Sequence, residues 1–213
     1  SHELRSPLMT LRASIDVMQH RREELSERTR QALDLLNDEV IRFENLVQDL
    51  LDLSRSDSGP IQNDLVNIEE LVRATLASSE NTTSLEVSPN AEGALVMGDK
   101  RRLAQVLDNL LRNAEKYGDG PSRITVSSAG TNIEIAVEDS GPGVAPSERE
   151  LIFERFTRGA AARKRGAGDG AGLGLALVDE HARRHGGTAR VEGKPDGESG
   201  ARFVVTLPKA GRR

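Results

Sequence analysis

Gly170-Ala-Gly172-Leu-Gly174-Leu175 runs straight into the amphipathic stretch Leu173–His185. Read alone, the glycines suit a flexible linker, yet linkers rarely open into a helix with apolar periodicity. Free backbone amides at the positive end of a helix dipole form an anion site, and glycine lets a loop fold over it. Two other segments precede this one in fixed order: Asn109-Leu-Leu-Arg-Asn113-Ala-Glu-Lys116-Tyr117 and Asp139-Ser-Gly141-Pro-Gly143. Together they supply a metal-binding face, an adenine acceptor and a phosphate cradle. The order points to a nucleotide.

The spacing predicts a helix over Lys100–Tyr117. On its wheel Leu103, Leu107, Leu110, Ala114 and Tyr117 make one apolar stripe, and Asn109, Asn113 and Lys116 line a second face about 100° away. Asparagine is a mediocre helix former and costly to bury unpaired. Amide oxygens suit hard Mg²⁺, which also takes phosphate oxygens and water, and a lysine ammonium suits phosphate as a point charge. A solvated polar flank is the plain alternative for this segment. Asp139 ends an apolar strand, where Asp and Gly are ordinary turn residues; the sharper reading has its carboxylate accept from the exocyclic amine of adenine, the glycines letting backbone approach the base. Neither a Rossmann glycine spacing, nor a P-loop, nor a protein-kinase catalytic loop is present. Arg155, Arg158, Arg163, Lys164 and Arg165 form a basic patch just upstream of the glycines, either facing phosphates or solvated.

Working outward, residues 1–58 carry a different rhythm. Leu4, Leu8, Leu11, Ile15 and Met18 alternate steps of four and three, as do Leu33, Leu36, Val40, Phe43, Val47 and Leu50. A polar stretch separates them, with Ser26 placed to cap the second helix. This reads as an antiparallel helical hairpin. Leu46, Leu51 and Leu53 lie off the main seam, so one hairpin cannot cover its apolar surface, and a second copy completing a four-helix bundle is expected. Ser54-Arg-Ser-Asp-Ser-Gly-Pro60 is turn chemistry and marks a boundary between 1–58 and 59–213. Beyond it, helices at Ile68–Ser79, Lys100–Tyr117 and Leu173–His185 mix with strands at Arg123–Ser128, Asn132–Glu138, Thr188–Gly193 and Arg202–Leu207. Short turns between strands imply a mixed, mostly antiparallel sheet with helices on one face, an α/β sandwich within an α+β chain. Gly186-Gly187 signals a helix C-cap.

The 213-residue chain is 36% hydrophobic and 30% charged with only five aromatic residues, so its core must rest on aliphatic side chains. It has no Cys, which excludes disulfides and thiolate chemistry. A net charge of −5 argues against a nucleic-acid partner. No apolar run approaches the roughly 20 residues that span a bilayer.

At the N-terminus stands Ser1-His2-Glu3-Leu4-Arg5-Ser6-Pro7. On the wheel His2 lies about 160° from the leucine stripe, facing solvent and an incoming domain. Pro7 cannot donate to the carbonyl of Glu3, so the helix should bend there.

The ordered set resembles the catalytic core of bacterial two-component sensor histidine kinases, whose ATP-binding domain belongs to the GHKL group shared with DNA gyrase, a heat-shock chaperone ATPase and MutL. That resemblance covers essentially the whole chain. It implies ATP and Mg²⁺ as cofactors, with Mg²⁺ on Asn113 and nucleotide contacts from Asn109, Lys116 and Tyr117. Asp139, Gly141 and Gly143 match the first glycine box, the Asp reading adenine. Phe153 and Phe156 match the phenylalanine box beside a flexible ATP lid, and Arg158 falls where a lid arginine reaches the γ-phosphate. Gly170, Gly172, Leu173 and Gly174 match the second glycine box. Residues 1–58 become a dimerising phosphoacceptor domain in which His2 is phosphorylated and Glu3 is the general base, and residues 59–213 the ATP-binding domain. Ser6 stands where phosphatase-competent members commonly carry Thr or Asn, so a hydroxyl survives to position water. The implied partners are a response-regulator receiver domain and a second copy of the chain. An upstream sensor and membrane anchor are expected, making this the cytoplasmic portion of a membrane protein. An ATP-operated clamp of the gyrase or chaperone kind is the alternative; it shares the pocket without needing the histidine segment. A nucleotide-binding scaffold without catalysis is a third reading.

Overall fold

The computed structural model describes residues 2–58, 63–79, 82–157, 172–195 and 197–211, with backbone alone at 2–6, 42, 44–46 and 48–58. The chain divides into two compact units, one ending at Ser58 and the other beginning at Gly59.

The first unit is the expected hairpin. Helix α1 (His2–His20) carries Pro7 inside it and is joined through a 3-10 turn at Arg22–Glu24 to α2 (Glu27–Ser58). Ser26 caps α2, its hydroxyl oxygen accepting from the Thr29 amide at 3.3 Å. The Arg22 guanidinium grips both carboxylate oxygens of Asp34, tying the turn to α2. Every second step of the seam closes inside the hairpin, where Leu8, Ile15, Leu33, Val40 and Val47 are buried. The intervening steps stay open: Leu11, Met18, Leu36 and Phe43 are 46–50% exposed. Leu46, Leu51 and Leu53 have side chains outside the described residues.

The second unit holds a five-stranded sheet ordered β2-β4-β5-β7-β6, built from β2 (Leu85–Val87), β4 (Pro121–Ala129), β5 (Asn132–Asp139), β6 (Thr188–Glu192) and β7 (Arg202–Pro208). Only β2–β4 is parallel; the other pairs are antiparallel. Cross-strand register puts Ile124, Val137, Phe203 and Val191 in one row and Val126, Ile135 and Val205 in the next. Partners share a face of the sheet, and these rows form one core with α3 (Ile68–Ser78), α4 (Lys100–Tyr117) and α5 (Gly174–Arg184). On the other face charged and polar side chains flank the buried pair Ala136 and Val204. Glu138, only 2% exposed, sits between the guanidiniums of Arg123 and Arg202 at 3.0 and 3.3 Å. A small antiparallel ribbon, β1 (Asp64–Asn67) with β3 (Leu95–Gly98), precedes α4.

The helices start where their caps stand. Asn67 caps α3, its Oδ1 accepting from the Glu70 backbone amide at 3.2 Å, while its side-chain Nδ2 donates to Glu70 Oε1 at 3.2 Å. Asp99 caps α4, accepting from the amides of Arg101 and Arg102 at 3.0 and 3.2 Å. Helix α5 differs, because Leu173 at its N-cap offers no side-chain hydrogen bond. No helix among the described residues is long and apolar enough to cross a membrane.

Candidate nucleotide site

Helix α4 organises the site. Its inner stripe, Leu103, Leu107, Leu110 and Ala114, is buried to within 2% exposure. This fixes its rotation and turns Asn109 and Asn113 together to the flank. Asn109 faces α5, since a Cβ placed on Gly174 would lie 3.5 Å from its side-chain oxygen. The Nδ2 of Asn109 is buried without a hydrogen-bond partner among the described residues. An orphaned buried amide costs about 1–3 kcal/mol, so its placement asks for an acceptor from elsewhere. One turn on, Asn113 is half-buried on the same side. At the helix end the Lys116 ammonium lies over the Tyr117 ring, 5.7 Å from its centre.

The far end of the site is Asp139, closing β5 at 4% exposure. Its Oδ1 accepts two backbone N–H bonds, from Gly141 at 3.0 Å and from Ala201 at 2.9 Å. Both bonds fix one carboxylate oxygen, so Oδ2 is left to take an outside donor. Burial pushes the carboxyl upward from its ordinary value; the two amides and the nearby Lys194 oppose that without cancelling it.

Glycines 141 and 143 act differently from the sequence expectation. A Cβ on Gly141 would fall 2.6 Å from Gly118 Cα, and one on Gly143 would fall 2.8 Å from the Gly200 carbonyl oxygen. What these glycines admit is the protein's own backbone. Gly118 and Gly200 are equally constrained: Cβ atoms there would lie 2.4 Å from the Asp139 side chain and 2.1 Å from the Asp139 carbonyl oxygen. Sequence reading missed both, along with Ser199, whose hydroxyl donates to the Gly141 carbonyl at 2.7 Å. Their partners lie up to about sixty residues away, and no local pattern marks such contacts.

Phe153 packs against the main core, whereas Phe156 is 65% exposed with φ +64°. That backbone state is unusual for a bulky residue and needs its surroundings to hold it. They do so: the Phe156 amide donates to the Gly172 carbonyl at 3.0 Å, and Gly172, at φ +70°, lies against Thr157. The two ends of segment 158–171 are therefore stitched together beside the start of α5. Leu173 is fully buried, so its side chain serves the core. Arg158 and Gly170 lie outside the described residues, as do Arg163, Lys164 and Arg165. Residues His2, Glu3 and Ser6 occupy the first turns of α1, their side chains likewise outside the described residues.

From Asn109 to Gly118, α4 advances about 13 Å. It joins an uncapped helix start at one end of the site to a buried carboxylate at the other. Residues 98–211 match the family described as histidine kinase-, DNA gyrase B- and HSP90-like ATPase, and residues 1–59 match the His Kinase A (phospho-acceptor) domain. The chain belongs to this ATPase family and, with the phosphoacceptor match, forms a histidine kinase catalytic core. It is 37% identical over 216 residues to the sensor histidine kinase MtrB of Mycobacterium tuberculosis, covering 98% of this chain and 38% of that protein. The chain thus spans well under half the length of that relative. Among solved structures it resembles full-length ShkA in complex with AMPPNP, with TM-score 0.69, 29% identity and coverage of 99% of this chain and 45% of ShkA. It also resembles the histidine kinase ThkA in complex with the response regulator TrrA, with TM-score 0.67, 25% identity and coverage of 98% and 59%.

Proposed function

We propose that this chain is the core of an ATP-dependent protein-histidine kinase, residues 1–58 acting as phosphoacceptor and dimerisation domain and residues 59–213 as ATP-binding domain. The observation that carries the reading is Asp139. A buried carboxylate with one oxygen committed to two backbone amides presents the other to a donor, and the exocyclic amine of adenine is such a donor. Asn109 Nδ2 and the uncapped amides of α5 then serve the phosphates, with Lys116 and Arg158 as their cations and the backbone of Gly170, Gly172, Leu173 and Gly174 as their cradle. Asn113 offers an amide oxygen of the kind Mg²⁺ takes beside phosphate and water. When bound there, Mg²⁺ neutralises charge on the transferring phosphoryl group. Tyr117, Gly141 and Gly143 shape the base end, and Phe153 and Phe156 the root of the lid.

For transfer, a ring nitrogen of His2 forms a bond to the γ-phosphorus as the bond to the β-phosphate oxygen breaks and ADP leaves. Glu3 accepts the imidazole proton. The protein's share is positioning and charge neutralisation. The phosphoryl group then passes to an aspartate of a response-regulator receiver domain, the kind of partner the ThkA complex holds. Ser6 can position water for the opposing phosphatase reaction, in which water attacks the regulator's aspartyl phosphate and inorganic phosphate leaves. The half-open seam at Leu11, Met18, Leu36 and Phe43 is the surface on which a second copy completes the bundle. With a membrane-anchored sensor upstream, this core lies in the cytoplasm.

Incubation with γ-³²P-ATP tests the reading. Acid-labile label is expected on the wild type and absent on His2→Gln. Undiminished label on that variant would overturn the assignment, and ATP hydrolysis with no phosphoprotein would point to a clamp.

A further inference from the structure

Helices α4 and α5 run antiparallel, and contacts mark three levels along their line of approach. At the start of α5 a Cβ on Gly174 would lie 3.5 Å from Asn109 Oδ1. In the middle, His181 Nε2 lies 3.3 Å from Gln105 Oε1. At the far end the Asp99 amide donates to His185 Nε2 at 3.0 Å, and His185 Nδ1 donates to the His181 carbonyl at 2.6 Å.

These partners settle the state of His185. A backbone N–H can only donate and a carbonyl can only accept, so the ring is the neutral tautomer with its proton on Nδ1. A Cβ on Gly98 would sit 2.5 Å from the imidazole Cδ2, so glycine at 98 is what admits the ring. The Asp99 carboxylate is occupied elsewhere, capping α4 and facing the Arg102 guanidinium at 3.4 Å with both side chains under 10% exposed.

Close packing of the apolar core limits how far α5 can slide along α4, and directional hydrogen bonds between the two helices narrow it further. We propose that His185 is a positioning residue for the nucleotide: by accepting from the Asp99 amide it sets the axial register of α5 against α4, and so places the amides of Leu173 and Gly174 opposite Asn109 and Asn113. This rests on the ATP reading above and goes beyond it, since His185 lies at the opposite end of α5 from the phosphates.

The test uses the whole chain with AMPPNP as ligand. His185→Leu keeps bulk but leaves the Asp99 amide unpaired; His185→Gln restores an acceptor. Loss of about tenfold in AMPPNP affinity is expected for the leucine variant, with most of it recovered by glutamine. Leucine and wild-type affinities within twofold, both proteins melting cooperatively, would overturn the proposal. Should the leucine variant not fold, amide hydrogen exchange on the wild type decides. Coupling is reciprocal, so saturating AMPPNP is expected to slow exchange at Asp99, and an unchanged rate there would sink the idea. A wild type that binds no AMPPNP overturns the ATP reading itself, whereas one that binds without moving Asp99 overturns this inference alone.

Discussion

The two units treat their apolar surface in opposite ways. In the second, rows of Val, Ile and Phe from four strands meet three helices, and the resulting core is closed. In the first, alternate seam positions are buried and the others among the described residues stand about half exposed. Contiguous apolar surface of that kind marks an interaction site in a soluble protein. A closed core specifies its fold within one chain, while a half-open seam specifies a partner. The difference suits the proposed division of labour, in which the second unit holds a nucleotide and the first meets a second copy and a regulator.

The sharpest way to break this comparison is to charge the open seam. Leu36→Asp with Phe43→Asp removes four large apolar side chains from a dimer of hairpins, each worth about 1.5–3 kcal/mol when buried. The double variant is expected to sediment as a monomer at micromolar concentration while still binding AMPPNP within twofold of wild type. A dimer that survives would mean that the seam is not the contact.

Next in size is Asp139→Asn. Asparagine keeps an oxygen for the amides of Gly141 and Ala201 but replaces the free acceptor with a donor. A site built around one hydrogen bond rejects the mismatched group strongly, so AMPPNP affinity is expected to fall at least about a hundredfold, close to 3 kcal/mol. The fold should hold or gain slightly, since a buried charge is removed; a raised carboxyl is one the folded state prefers protonated. Calorimetric titration beside thermal melting separates the two effects. Unchanged binding would remove Asp139 from the base site.

These two variants also mark what the sequence reveals. The α4 bounds and the strands β4, β5, β6 and β7 are legible because each carries a sustained period and a cap or turn at its end. Ser26, Gly186 and the glycine-rich entry to α5 are local chemistry, readable where they stand. Strands β1, β2 and β3 are only three or four residues long, too short for a period of two to register. The glycines at 118 and 200 are invisible for another reason: their necessity comes from the backbone around Asp139, brought against them only by folding. His185 reads in sequence as a basic residue in the last turn of a helix, and only its two partners show it to be a neutral acceptor.

A smaller effect sharpens the account of the closed core. Burial, with the Arg102 and Arg184 guanidiniums nearby, pushes the His181 imidazole down from 6.5 to about 4. Between those values the unfolded chain binds more protons than the folded one, so stability rises with pH there. The second unit is expected to keep full stability above about pH 6.5 and to lose on the order of 3 kcal/mol by about pH 4. Urea midpoints across that range measure it, and His181→Gln should flatten the slope in this window. An equal slope in the variant would place the acid sensitivity elsewhere.

The smallest effect compares the units directly through their caps. Ser26 and Asn67 each accept one orphan amide at a helix start, from Thr29 at 3.3 Å and from Glu70 at 3.2 Å. Removing either cap by alanine costs about 1 kcal/mol of local helix stability. The consequences should differ. Asn67→Ala acts on a helix already held by Ile68, Leu71, Val72 and Leu76 in a closed core, so the second unit should melt as one slightly weaker cooperative transition. Ser26→Ala acts where the cap and the Arg22–Asp34 pair fasten the turn of a hairpin whose seam is proposed to take a second copy. Its loss is expected to move the melting temperature of the first unit by an amount that shrinks as protein concentration rises, because association offsets it by mass action. A concentration-independent shift for Ser26→Ala would show that the hairpin is stable by itself, and that its open seam plays no part in holding it folded.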